Sequence, residues 1–271
     1  MELPGAGGHL RSSKMQHLDR LLTSTKAMVS FISETRNATI NRTALINHFN
    51  LTDAFVVPAL GQSGGLWLLS SADISFNVVD HDRHSIFAIC NLSSTNQTFA
   101  LICIYGDPHH RSTQAIWTRV QNFVLSNTNL PVICTGDLND IMNSNEKVGP
   151  CRTNPTRINR FCDYVKQCGL IDLGYSGPAY TWTNKRFSSI PTFQRLDRSL
   201  ANANWCSAFP SSTVLHLPML KSDHAPILTM FQSSIAKTTK PFRFKNYWLL
   251  EQDFNEVARS SWDRSATRTF N

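Results

Sequence analysis

Apolar residues recur along this chain at two spacings, and the switches between them mark its elements. From Met15 to Thr25, MQHLDRLLTST sets Leu18, Leu21 and Leu22 on one helical face, and AMVSFI, residues 27–32, follows as a short buried strand ending near Glu34. TALINHFN predicts a second helix. Beyond it DAFVVPAL, GGLWLLS, ISFNVVDH, HSIFAICNL and TFALICIYG are strand-like runs, separated by turn-rich pieces such as GQSGG and SSTNQ. Strands without helices between them predict hairpins, and hence a mixed, largely antiparallel sheet. Residues 112–127 carry Ile116, Val120, Phe123 and Val124 at helical spacing, with Ser112 as the expected cap. Pro131 to Cys134 then reads as a buried strand punctuated by Gly136. A helix over 156–167 and strands in YTWTN, FQRLDRSL, STVLHL and APILTMF complete the series. Strands and helices interleaved in this way predict two packed sheets with helices outside.

Length and composition narrow the class. With 271 residues and 41% hydrophobic residues, a sizeable core can be filled. No apolar run reaches membrane-spanning length and MELPGAGGHLRSSK lacks the apolar core of a secretory signal, so a soluble, intracellular monomer without membrane contact or an obligate protein partner is expected. The five sequons, beginning at Asn37, Asn41, Asn50, Asn91 and Asn96, are therefore expected to be chance products of composition. Seven scattered cysteines without a C-x-x-C pair predict free thiols. A net charge of +7 favours a polyanionic partner, without separating DNA from RNA or a phosphoinositide.

Five apolar segments end on polar residues. They end at Glu34; at Tyr105; at Asp137 and Asn139 in GDLN; at Asp197 in RLD; and at Ser222, Asp223 and His224 in SDH. Alone, each reads better as a turn residue, a cap or surface acid, a half-buried strand aromatic for Tyr105 or, for Asp197, a partner of Arg195 or Arg198. Together they suit phosphodiester hydrolysis. Glu34 and Asp223 could hold a hard divalent ion, magnesium or manganese, which needs only one or two carboxylates besides phosphate oxygens. Asp137 and Asn139 suit the placing and deprotonation of a water, and His224 could bond the phosphate or act as acid or base, with its ring fixed by Asp197.

In their order, SET, IYG, GDLN, RLD and SDH resemble the endonuclease/exonuclease/phosphatase superfamily over residues 15 to 231. GQSGGLWLL, GDLNDIMNSNEKVG, YTWTN, QRLDRSLAN and SDHAPIL resemble most the endonuclease domain of plant LINE-type non-LTR retrotransposon polyproteins, and PFRFKNYWLLEQDFNEVARSSW resembles the connector to a reverse transcriptase. The resemblance implies a four-layer α/β sandwich of two mixed, mainly antiparallel sheets flanked by helices, over 15–233. An altered N-terminal segment, 1–14, would precede it and a partly helical tail, 234–271, would follow. It implies a magnesium-dependent endonuclease that nicks one DNA strand, in the nucleus if genomic DNA is the substrate. Glu34 and Asp223 would hold the metal, Asp137 and Asn139 would serve the water, and Asp197 with His224 would form an acid–histidine pair. Tyr105, Thr181, Ser222 and Arg195 would meet the substrate phosphate. The family's opening strand ends in an Asn-bearing motif before a Gly; if Gly5 matches that Gly, Glu2 stands at the Asn, and otherwise the strand is absent. Pro108 likewise stands where relatives carry an Asn. An inositol-phosphate or lipid phosphatase and a catalytically decayed nucleic-acid-binding remnant are the alternative readings.

Overall fold

The longest apolar runs pair into the middle of one large sheet. ISFNVVDH, SIFAICNL and TFALICIY become β4 (Ile74–His81), β5 (Ser85–Leu92) and β6 (Gln97–Tyr105), joined antiparallel. Helix α3 (Thr113–Ser126) then crosses over, as a parallel neighbour requires, so that β7 (Val132–Asp137) lies parallel to β6. Next to it come β12 (Asp197–Ala201) and the short β9 (Ile171–Asp172), in the order β4-β5-β6-β7-β12-β9. These coordinates are a computed structural model that describes residues 13–61, 63–186, 190–220, 222–232 and 254–265.

Both faces of this sheet are covered. Ile116, Trp117 and Val120 of α3, with Phe161 and Val165 of α4 (Pro155–Gln167), pack on Ile102, Ile104, Val132 and Cys134. On the other face Ile86, Leu101, Cys103 and Ile133 meet Leu66 and Leu68 of a second, antiparallel sheet, made of β1 (Val29–Ile32), β3 (Leu66–Ser70) and β2 (Asp53–Val57) in the order β1-β3-β2. The central β3 is buried at all five positions, which is why LWLLS is apolar without alternation. Its outer face, with Trp67 and Leu69, lies under Met15 and Leu18 of α1 (Ser13–Thr25) and Leu45 of α2 (Arg42–Phe49). The result is the expected four-layer α/β sandwich. Helix α5 (Ala203–Ala208) sets Trp205 against Phe99 and Phe209 at the sheet's end. Beside the layers, β13 (Thr213–His216) pairs with β14 (Ile227–Met230), and β10 (Trp182–Thr183), β11 (Phe193–Gln194) and β8 (Lys147–Val148) form a small sheet. Contacts divide the chain into units 1–234 and 235–271; in the second, α6 (Phe254–Ser265) is the described element, and most of the connector-like tail lies outside the described residues.

Three local expectations change. Gly136 does not end its strand: β7 continues to Asp137, and Gly136, at φ +134°, is required because a Cβ there would run into the Ile104 carbonyl of β6. Ser112 makes no side-chain cap for α3; its backbone N–H donates to Asp107 at 2.8 Å. FQRLDRSL splits at Arg195 and Leu196, whose N–H groups bond the Glu146 carbonyl at 2.9 Å and the Thr181 hydroxyl at 3.0 Å.

A buried ionic knot ties these loops to β12. Arg198, fully buried, pairs with Glu146 at 2.7 Å and Asp172 at 2.8 Å; Arg195 pairs with the same two carboxylates and stacks on Tyr175. Burial alone would raise both carboxyls, but the arginine charges outweigh it and hold them below their usual values. Removing one partner from such a knot leaves a buried charge uncompensated. Glu146→Ala is expected to lower stability by about 3–5 kcal/mol in urea titration. Because these folded-state pKa values lie below the unfolded ones, the stability they contribute is present above the unfolded pKa and lost as pH falls through the folded one. Urea midpoints should drop steeply below about pH 4.5, and Glu146→Gln should flatten that drop.

Candidate active site

The site is assembled by strand register. Tyr105 on β6 stands opposite Asp137 on β7, and Asp137 stands opposite Asp197 on β12, so three polar side chains form a row across the carboxyl edge of the parallel pair. Beyond β7 the chain turns at Asn139, whose φ of +52° is tolerated by Asn. Its amide donates to the Gly106 carbonyl at 2.7 Å and to Asp137 Oδ2 at 3.0 Å, while its backbone N–H donates to Asp137 Oδ1 at 2.9 Å. GDLN thus forms a turn, and the hydrogen bonds of that turn fix the Asp137 carboxylate.

His224 closes the row. Its Nδ1 bonds Asp197 Oδ2 at 2.9 Å, and its Nε2 lies 3.7 Å from Asp137 Oδ2. Burial would lower the imidazole's pKa, but Asp197 and Asp137 outweigh that and hold it up at about 9. Burial also pushes Asp137 well above the usual carboxylate range, against the pull of His224, whereas for Asp197 the His224 charge and bond overcome burial and hold it low. The three shifts together favour the ionised form of Asp197 and the protonated form of His224, and raise the Asp137 carboxyl. Single donor atoms of Asp137, Asp197 and His224 lie within 4.8 Å of one another, a spacing that could also hold a cation.

YTWTN is the splint between the two halves of this pair. The Thr181 hydroxyl, fully buried, accepts the N–H groups of Leu196 and Asp197 at 3.0 Å each, and its carbonyl accepts the Ala225 N–H at 2.7 Å. Thr183 N–H bonds the Asp223 carbonyl at 3.0 Å. Thr181 is accordingly engaged in setting Asp197 and the SDH turn, rather than directed at the phosphate as expected from the sequence. Ser222 likewise turns inward, its hydroxyl accepting the His224 N–H at 3.1 Å. Arg195, in the ionic knot, is not among the residues lining the cleft.

Opposite the row stands Glu34, just beyond β1. Its left-handed backbone, φ +51°, is held by Thr35 and Arg36 N–H groups bonded to the carbonyls of Gly65 and Gly64 at 3.1 and 2.9 Å. Gly65 is needed there because a Cβ would strike the Thr35 hydroxyl. The Tyr105 hydroxyl donates to Glu34 Oε1, and burial together with that carboxylate pushes the phenol far up, so it stays a donor. Glu34, Tyr105, Asp137, Asn139, Asp223 and His224 line one cleft of about 320 Å³. Sequence reading missed its other walls: Trp182, Gln194, and the basic residues Lys147, Arg157 and His110. Arg157 bonds the Asn139 carbonyl at 2.7 Å and pairs with buried Asp140. Asp140, adjoining GDLN, was the sequence signal that could have pointed to a basic partner.

Solved structures share this fold. The 3′ phosphatase NExo from Neisseria, bound to a product DNA hairpin, is 16% identical, with 85% of this chain and 97% of that one covered at a TM-score of 0.59. The endonuclease domain of TRAS1, a telomere-specific non-LTR retrotransposon, is 13% identical over 81% and 92%, at 0.59. The AP endonuclease LMAP from Leishmania major is 14% identical over 86% of each chain, at 0.66. No curated protein sequence matches. The model of the endonuclease/exonuclease/phosphatase family matches residues 6–224, and with the row of acids and the paired histidine at the sheet edge, the chain belongs to that family.

Proposed function

We propose that this chain is a metal-dependent endonuclease, of retrotransposon origin, that nicks one strand of DNA by hydrolysis. The observation that carries the reading is the register-aligned row of Tyr105, Asp137 and Asp197, closed by His224 and facing Glu34 across one cleft. Asp137, raised by burial and steadied by Asn139, is suited to accept a proton from an attacking water. The His224 imidazolium, oriented by Asp197, offers positive charge and a proton to a phosphate oxygen. Glu34 and Asp223 both line the cleft, carboxylates suit a hard divalent ion, and no soft ligand lines it among the described residues. When bound, such an ion neutralises charge developing on the scissile phosphate and the leaving oxygen. Tyr105 keeps Glu34 in place by donating to it.

DNA is favoured over a small phosphomonoester by the rim. Lys147, Arg157 and His110 lie on the cleft together with the indole of Trp182, and a chain of flanking phosphates and bases can use all of these. A genomic substrate would place the protein in the nucleus. Incubation with supercoiled plasmid and magnesium should produce nicked circles, with EDTA abolishing the product. Asp137→Asn and His224→Ala should each slow nicking by roughly 10²-fold or more, while Lys147→Ala mainly weakens binding in a salt-dependent way. Phosphate release from inositol phosphates without plasmid nicking would select the phosphatase reading, and salt-sensitive DNA binding without cleavage would select the decayed remnant.

A further inference from the structure

The antiparallel ladder of β5 and β6 ends, beside the cleft, on a rung made partly by a side chain. Ser85 of β5 stands opposite Ile104 of β6, so the next rung belongs to His84 and Tyr105. The His84 carbonyl accepts the Tyr105 N–H at 2.7 Å. In a hydrogen-bonded pair of this kind the return bond comes from the opposite backbone N–H, but the His84 N–H is turned away to Asp82 Oδ1 at 2.8 Å. The imidazole makes the return bond in its place, with Nδ1 3.1 Å from the Tyr105 carbonyl oxygen.

The partners of the ring fix its tautomer. A carbonyl only accepts, so Nδ1 carries the hydrogen; Arg83 Nε, 3.0 Å from His84 Nε2, only donates, so Nε2 accepts. His84 is buried, and its ring lies beside that of Tyr105 with centroids 6.3 Å and planes 22° apart. The loop that presents it is itself anchored. Asp82 Oδ1 also accepts the Ser85 hydroxyl at 2.8 Å, and Arg119 of the crossover helix α3 pairs with Asp80 at 2.6 Å and with Asp82. On the other side of β6 the Gly106 N–H donates to the Asp137 carbonyl at 2.7 Å, so the last peptide of the strand is gripped from both neighbours.

We propose that His84 is a positioning residue of the site: its Nδ1–H completes the last rung of the ladder and so fixes the backbone from which the Tyr105 phenol donates to Glu34. The rung closes the end of β6, where no further rung follows to hold the strand. A shift of that peptide swings the phenol away from Glu34, whose carboxylate otherwise has only Arg36 beside it, at 3.6 Å. With the rung intact the carboxylate is oriented before an ion arrives. Without it, part of the binding energy of the ion is spent on ordering the carboxylate, as happens when the hydrogen-bond partner of a ligand is lost. This deepens the metal-dependent reading and rests on it only for the effect on ion affinity; the rung and the tautomer stand without it.

The test uses the whole chain. Long-range proton–nitrogen NMR spectra should place the His84 ring hydrogen on Nδ1, a measurement that needs no metal. The affinity for Mn2+, read from the electron paramagnetic resonance of the free ion, should fall about tenfold or more in His84→Leu, which keeps the backbone half of the rung and loses the ring donor. His84→Asn, whose amide nitrogen can take the place of Nδ1, should recover most of that loss. Because His84 acts through Tyr105, the double variant His84→Leu/Tyr105→Phe should lose less than the sum of the two single losses. A ring hydrogen on Nε2, an unchanged Mn2+ affinity in His84→Leu, no recovery in His84→Asn, or additive losses in the double variant would overturn the proposal. Plasmid nicking is read separately: these His84 effects without nicking by the unaltered chain reject the nuclease reading alone, and nicking with an Mn2+ affinity indifferent to His84→Leu rejects the His84 role alone.

Discussion

The register of β6, β7 and β12 is the constraint on which the rest of the site depends. Tyr105, Asp137 and Asp197 are neighbours because three backbone ladders place them opposite one another. A slip of one residue in any ladder would turn a side chain to the helix-covered face. Two features pin the register. Gly136 lets β7 approach the Ile104 carbonyl of β6, which any other residue would block, and the N–H groups of Leu196 and Asp197 are both held by the Thr181 hydroxyl at the start of β12. The site residues therefore owe their positions to backbone geometry more than to contacts among their own side chains.

The layers were legible in the sequence because their signals are local. Unbroken LWLLS, alternating ISFNVVDH and the helical repeat of Ile116, Val120 and Val124 each report the burial of their own element. The site was partly legible, since its acids end core strands and its motifs occur in family order. What was not legible was long-range. Arg195 and Thr181 carry polar groups that suit a phosphate, yet each is claimed by a partner far along the chain: Arg195 by Glu146, Asp172 and the ring of Tyr175, Thr181 by the backbone of β12. Lys147, Arg157 and His110 went unread for the same reason, because a basic residue by itself gives no sign of which cleft it faces. The left-handed turn at Glu34 was equally hidden, since it depends on carbonyls of Gly64 and Gly65 from a loop that read only as a turn.

Four acidic residues and two arginines meet around β12, and the alternation of that strand sorts them. Arg198 and Leu200 point to the face covered by α4, where Arg198 lies over Phe161; Asp197 and Ala201 point to the opposite face. On the first face Glu146 and Asp172 confront guanidinium groups, which keep their charge at every accessible pH and hold those carboxylates ionised to lower pH than usual. On the second face Asp137 and Asp197 confront an imidazole, which can give up its proton. Adjacent positions of one strand thus separate charge that fixes structure from charge that can move. The burial that would penalise an unpaired carboxylate is outweighed by the arginine charges on the side of the knot, and on the side of the cleft it leaves Asp137 raised. The imidazole beside Asp137 and Asp197 can release its proton, which the guanidinium groups of the knot cannot.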